Sequence, residues 1–265
     1  MTGFDREDSM NRTVRPDARA AVLALLIAVP SLAAAAPASG DVTGIWWASS
    51  YSPSIKTYLA GGGDVPLNDA GKKKYAENQA GLKDGSIIDR ARVYCTPDGL
   101  PRTLATPYPF QIIVAPPGQM SWVYEQNTMI RGISMVKPLD SLDKLSVLPF
   151  WNGHSAGHWD GDTLVIESGG FNESTFIDAT GVPHSDQMMT TERVRKINGG
   201  KQLEDVITLH DPVYYTRDWQ ARFVYDNHDG MRLMEYICGE PHRDISNIKG
   251  VKEARAANAA RAAGR

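Results

Sequence analysis

Only two cysteines, Cys95 and Cys238, occur in 265 residues, so at most one disulfide can form within the chain. No G-x-G-x-x-G and no G-x4-G-K-S/T occurs, which disfavours NAD- or ATP-dependent chemistry. Positive charge is not in surplus. Lys and Arg number 28 against 31 Asp and Glu, for a formal net charge of −3, and no basic stripe with interleaved aromatics exists. Nothing in that balance draws the chain to nucleic acid or to an anionic membrane. No helical H-E-x-x-H is present, which removes one sharp signature of hydrolase chemistry. What remains is ordinary: at 42% hydrophobic and 22% charged, most of the chain should fold around a real core.

One apolar run stands out, and no other segment is apolar enough to span a bilayer. Arg12, Arg15 and Arg19 precede AAVLALLIAVPSLAAAA, which is broken by Pro30 and ends in small residues. Charged region, apolar region and A-x-A site are the order of a secretory signal peptide over residues 1–38, cleaved after Ala38. The run is short for a span of roughly 20 apolar residues, so no membrane span is expected after cleavage. A periplasmic or secreted location follows, and an oxidising compartment lets Cys95 bond to Cys238. Closing so long a loop is worth on the order of 4–5 kcal/mol in the chain-entropy model. Two buried free thiols are the alternative.

The rest divides into one domain over 39–245 and an Ala/Arg-rich tail over 246–265, a loose helix or disordered. Gly44-Ile45-Trp46 begins a strand, and Asn68 or Asp69 caps a short N-terminal helix near 68–80. CTPDGLPRTLATPYPF carries four prolines and must be an irregular, ordered loop. From Phe110 onward, strands alternate with turns: FQIIVA, MSWVYE, TMIRGISMV, HW-DGD-TLVIE, TTERVRKI-NGG-KQLEDVITL and ARFVYD-NHDG-MRLMEYIC. Asp-Gly and Asn-Gly turns flanked by β-formers signal hairpins. The expected fold is mainly β, an antiparallel up-and-down barrel.

Chemistry concentrates in WNGHSAGHWDGDTLVIESGGF, residues 151–171. In an extended chain His154, Ala156 and His158 share a face, so two imidazoles could converge on a divalent metal such as zinc. A third ligand would come from His184, with Asp162, Asp186 and Glu192 as carboxylate alternatives. Metal-free acid/base work by the same histidines is a second possibility. A third is that backbone carbonyls satisfy His154 and His158, with Trp151 and Trp159 packed beside them. Ser155 and Ser185 each follow a histidine but would face away from it on a strand. Strand phase also carries Arg131, Glu192 and Glu235 inward, as an interior charge network, if their apolar neighbours mark the inner face. Arg102 and Tyr108, on the proline-rich loop, could reach over the barrel mouth to an anionic or aromatic ligand.

Gly44–Trp46, CTPDGLPR, GHSAGHWDGDTLV, GFN at 170–172, PHS with ERVR, and EYIC resemble the blocks of a large group of secreted bacterial proteins of unassigned function. The resemblance covers most of the mature chain and implies a shared fold without transferring a reaction. The G-x-W start also looks like that of calycin barrels. His158 stands where such proteins are expected to carry Arg, which favours His154 with His184. Two functions stay open. One is a hydrolase or lyase on a small or medium organic substrate, using His154, His184 and Glu192, with Arg102, Tyr108, Arg131, Trp151, His158 and Trp159 holding the substrate. The other is a non-catalytic barrel binding an apolar or aromatic ligand.

Overall fold

Apolar and polar residues alternate with a period of two in nearly every segment read as a strand, and these segments extend and pair. The computed structural model describes residues 40–115, 118–139 and 149–238. Its strands are β1 (Gly44–Ala48), β2 (Phe110–Ala115), β3 (Gln119–Tyr124), β4 (Ile130–Ser134) and β5 (His154–Asp160), then β6 (Thr163–Gly169), β7 (Met189–Ile197), β8 (Gln202–His210) and β9 (Trp219–Asn227). Neighbours follow chain order and β9 closes on β1, giving a barrel without a free edge. The expected leader over 1–38 and tail over 246–265 lie outside the described residues.

The fold is the expected mainly-β barrel, with the antiparallel order broken at one seam. β4 and β5 run parallel and share a single bridge, Ser134 to Ala156. The physical reason is the connection: a tight hairpin would force antiparallel pairing, whereas β4 ends at Ser134 and β5 begins only at His154, a separation long enough to allow a parallel return. A second difference lies after β9. The segment MRLMEYIC was expected to pair back as a strand, but β8 and β1 already occupy both edges of β9. Residues 231–238 instead run outside the barrel to Cys238, which bonds Cys95 with the two Cα atoms 5.5 Å apart. Glu235 is exposed there and takes no part in the interior.

Two hairpin turns form where Gly and Asn sit. Asp160 pairs with Thr163 across Gly161, whose φ of 64° suits glycine. β7 and β8 turn at Asn198–Gly200. The helix α1 (Asp69–Asp84) runs four residues beyond its expected end and stops at Gly85, in the left-handed conformation. Its cap is Asn68, whose side chain accepts the Gly71 N–H at 2.9 Å. The buried face of α1 carries Gly71, Asn78 and Gly81. A Cβ at Gly71 would stand 2.2 Å from the Tyr214 carbonyl oxygen, so this helix lies close because its contact residues are small.

The barrel interior is filled by large side chains. Trp46, Phe110, Trp122, Tyr124, Phe223 and Tyr225 are buried, each worth about 1.5–3 kcal/mol on the usual area scale. Phe110 stacks on Trp122 at 5.2 Å and takes the edge of Tyr225 at 4.9 Å. With the inside so filled, open space lies at the mouth and in the wall.

Candidate functional site

The polar heart of the barrel is built by strand alternation. Arg131 on β4, Ser155 on β5, Ser168 on β6, Glu192 on β7 and Asp205 on β8 are all buried. The Arg131 guanidinium holds Glu192 bidentately, Nη1 to Oε2 at 2.8 Å and Nη2 to Oε1 at 2.6 Å. It also donates to the hydroxyls of Ser155 and Ser168, at 3.1 and 2.9 Å. The Trp122 ring lies 5.5 Å from the guanidinium. Burial works against the Arg131 charge, but the adjoining Glu192 carboxylate outweighs it and holds the group firmly protonated. Asp205 differs. It is fully buried beside Glu192, and burial followed by that neighbouring charge pushes its pKa well up. Arg131 thus pairs with Glu192 alone, and Asp205 is the carboxyl that favours its protonated form.

At the mouth, loops that lead into and out of the strands enclose a cleft of about 520 Å³. Tyr51, Tyr108 and Tyr236 line it together with Ile55, Ala105 and Ile177. Tyr108 and Tyr236 stack with ring centroids 4.7 Å apart. Interaction with the Tyr236 hydroxyl, and then burial, push Tyr108 up to about 12, so it remains a neutral phenol. Arg102 is anchored in the wall, bidentate to Asp89 at 3.0 and 2.9 Å and with Nε 3.2 Å from Asp98. Asp98 also accepts from Gln126 at 2.8 Å, and burial raises its pKa. The disulfide fixes the cleft, because Cys238 lines it two residues beyond Tyr236.

No family model matches this chain. Nor does any curated protein or solved structure. Function must therefore be argued from the geometry.

The residues read from sequence are distributed over several places rather than gathered in one. Arg102 and Tyr108 line the mouth cleft. Arg131 and Glu192 meet in the interior as an ion pair. His154 and His158 do share a face, but the pairing of Ser155 with Ser168 and of Trp159 with Leu164 makes it the outer one. His154 packs edge-on against Phe150 at 4.5 Å and lines a wall cavity of about 430 Å³ between β4 and β5, with Trp151 and Asn152. His158 is exposed and, with Trp159, borders a separate cavity beside Gly40 and Met120. His184 lies elsewhere again, buried on the loop before β7 and facing α1.

The expected meeting of His154, His184 and Glu192 is therefore corrected: each stands in a different environment. Glu192 is tied to Arg131 inside the barrel, and the two histidines border different cavities. Among the described residues no three His, Cys, Asp or Glu side chains are grouped so as to hold a metal ion, and His154 and His184 border different cavities. His184 has both ring nitrogens engaged. Nδ1 lies 3.1 Å from the Ser185 carbonyl and must donate to it, which leaves Nε2 as an acceptor 2.6 Å from the Thr175 hydroxyl, whose proton is shared with the Asn172 carbonyl at 3.2 Å. Burial lowers the His184 pKa and keeps the ring neutral. Ser185 turns the other way and donates to Asp211 at 2.9 Å.

Several residues of these sites escape a reading that starts from histidine. Asp205 had a visible signal, since it shares strand phase with Leu203, Ile207 and Leu209. Tyr51, Arg92, Thr175 and Tyr236 had none, because loops from distant parts of the chain bring them into place.

Proposed function

We propose that this chain is an exported, non-catalytic barrel that binds an aromatic small molecule in the mouth cleft. The cleft itself carries the reading. Small-molecule sites are typically about 300–1,000 Å³, apolar or aromatic in lining, with a few fixed polar groups. Here about 520 Å³ is bordered by three tyrosines and several aliphatic side chains, on loops held by a disulfide and by the Arg102–Asp89–Asp98 ion cluster. Preformed walls lower the ordering cost of binding. Export is supported by the leader-like N-terminus and by the Cys95–Cys238 bond. Isothermal titration with a panel of substituted phenols and benzoates is the test. It should find one site per chain. Tyr108→Ala should weaken it by about two- to tenfold, the worth of one aromatic contact, with the fold retained. Failure of every compound to bind, or binding indifferent to Tyr108 and Tyr236, would overturn the proposal.

One observation favours a second reading, a hydrolase. The Thr175 hydroxyl lies 2.6 Å from Nε2 of a neutral His184 whose other nitrogen is oriented by the Ser185 carbonyl, and both residues border a cavity of about 290 Å³. Nucleophile, base and orienting group in line are what ester attack requires. The Thr175 oxygen would bond to the acyl carbon, its proton passing through His184 to the departing alkoxide, and water would then release the acid. Turnover of small esters that disappears in Thr175→Val and in His184→Gln, with both variants folded, would support it. Turnover that survives Thr175→Val would dismiss it.

A further inference from the structure

The charge preference of the mouth cleft can be drawn from how its own charges are already spent, and this inference rests on the cleft being an aromatic site. Among the described residues, Arg92, Asp98, Arg102 and Asp178 are the charged side chains that line it. Arg102 gives its donors to Asp89 and Asp98. Asp98 accepts from Arg102 and from Gln126. Asp178 is buried and accepts from the backbone N–H groups of Ile55, Thr180 and Val182 and from the Thr180 hydroxyl. Arg92 is the exception. It lies in the short helix α2 (Arg90–Val93), is exposed, and its side chain has no hydrogen bond or ion pair among the described residues. The cleft therefore offers an unspent guanidinium, while both of its carboxylates are already engaged by donors. A cationic ligand would have to compete for oxygens that already accept hydrogen bonds. An anionic one would meet a free planar fork that matches a carboxylate in two bonds.

The geometry points to an aromatic carboxylate as the ligand class, its ring against Tyr51 and the Tyr108–Tyr236 stack and its carboxylate on Arg92. The phenol of Tyr108 is neutral and adds no repulsion. A ligand of this kind uses both halves of the lining at once, whereas a neutral arene leaves Arg92 in water.

Three isosteric probes separate the possibilities at pH 7: 4-hydroxybenzoate, 4-hydroxybenzamide and 4-hydroxybenzylamine, titrated calorimetrically into the mature, disulfide-bonded chain. The acid should bind about tenfold more tightly than the amide, the scale of one charge-assisted pair at an exposed site, and the amine more weakly than either. Raising salt from 50 to 500 mM should shrink the advantage of the acid over the amide. Arg92→Gln should bring the acid-to-amide ratio close to one, and Arg92→Lys should restore part of it. If acid and amide bind equally, or the amine binds best, the carboxylate preference is wrong and the aromatic cleft still stands. If none of the three binds, the aromatic cleft itself fails and the carboxylate preference fails with it.

Discussion

Replacing Asp205 with Asn should make this protein more stable at neutral pH, an unusual direction for a change in a barrel core. The Asp205 carboxyl is fully buried beside Glu192. Its pKa in the fold lies well above the value of about 3.9 for an unfolded aspartate, so on raising pH the unfolded chain loses this proton first. The stability linked to Asp205 is thus full below about pH 4 and falls until pH passes the folded pKa, by about 1.4 kcal/mol per pH unit. Asn has the same shape, cannot ionise, and can donate an N–H to Glu192. Asn escapes that pH-linked loss, so the expected gain grows by about 1.4 kcal/mol per pH unit until the folded pKa is passed. For a domain of this size that corresponds to about 2–4 °C in melting temperature per kcal/mol. Urea denaturation of both proteins at pH 5 and pH 8 reads the effect. Asp205→Asn should raise the midpoint, and the gap over wild type should be wider at pH 8. A variant that is less stable at pH 8, or a gap independent of pH, would refute the reasoning.

Arg131→Met should cost about 3–5 kcal/mol in urea denaturation, because it leaves the buried Glu192 without its partner. Adding Glu192→Met should recover much of that loss, and a double variant no better than the single one would show that the guanidinium matters beyond its charge pair. Intact-mass measurement of protein purified after export should show two protons fewer than the reduced sequence, while Cys95→Ser with Cys238→Ser should lower stability by about 2–5 kcal/mol. Acidification should draw on His184: its pKa in the fold is lowered, so its contribution is intact above about pH 6.5 and is lost as pH falls towards the folded value. His184→Gln should flatten that part of the pH–stability curve, and an unchanged slope would contradict the neutral assignment.

The strands were legible because turn chemistry and alternation agreed. FQIIVA is β2, and the Gly161 and Asn198–Gly200 turns fall where the sequence puts them. Arg131 and Glu192 were legible for the same reason, each in phase with an apolar neighbour, Ile133 and Val194. The histidine block was harder. Alternation says which residues share a face and not which face is inside, and HSAGHWD offers apolar residues in both phases. Trp159 could have set the phase, since a tryptophan facing inward carries Gly157 and Ser155 with it. His154 and His158 then fall outside. The parallel seam between β4 and β5 was hidden because a long connection leaves strand direction undetermined. The mouth cleft was hidden almost wholly: Tyr51, Arg92, Tyr108 and Tyr236 come together through barrel closure and one disulfide, and no spacing encodes that.

A crystal structure of the mature chain soaked with 4-hydroxybenzoate, or with whichever panel compound binds best, tests the cleft most directly. Its ring should lie against Tyr108 and Tyr236 in the space bordered by Ile55, Ala105 and Ile177, with the carboxylate within hydrogen-bond distance of Arg92. A ligand seated instead between β4 and β5 beside His154, or against Thr175 and His184, with the mouth cleft left to solvent, would contradict the binding assignment.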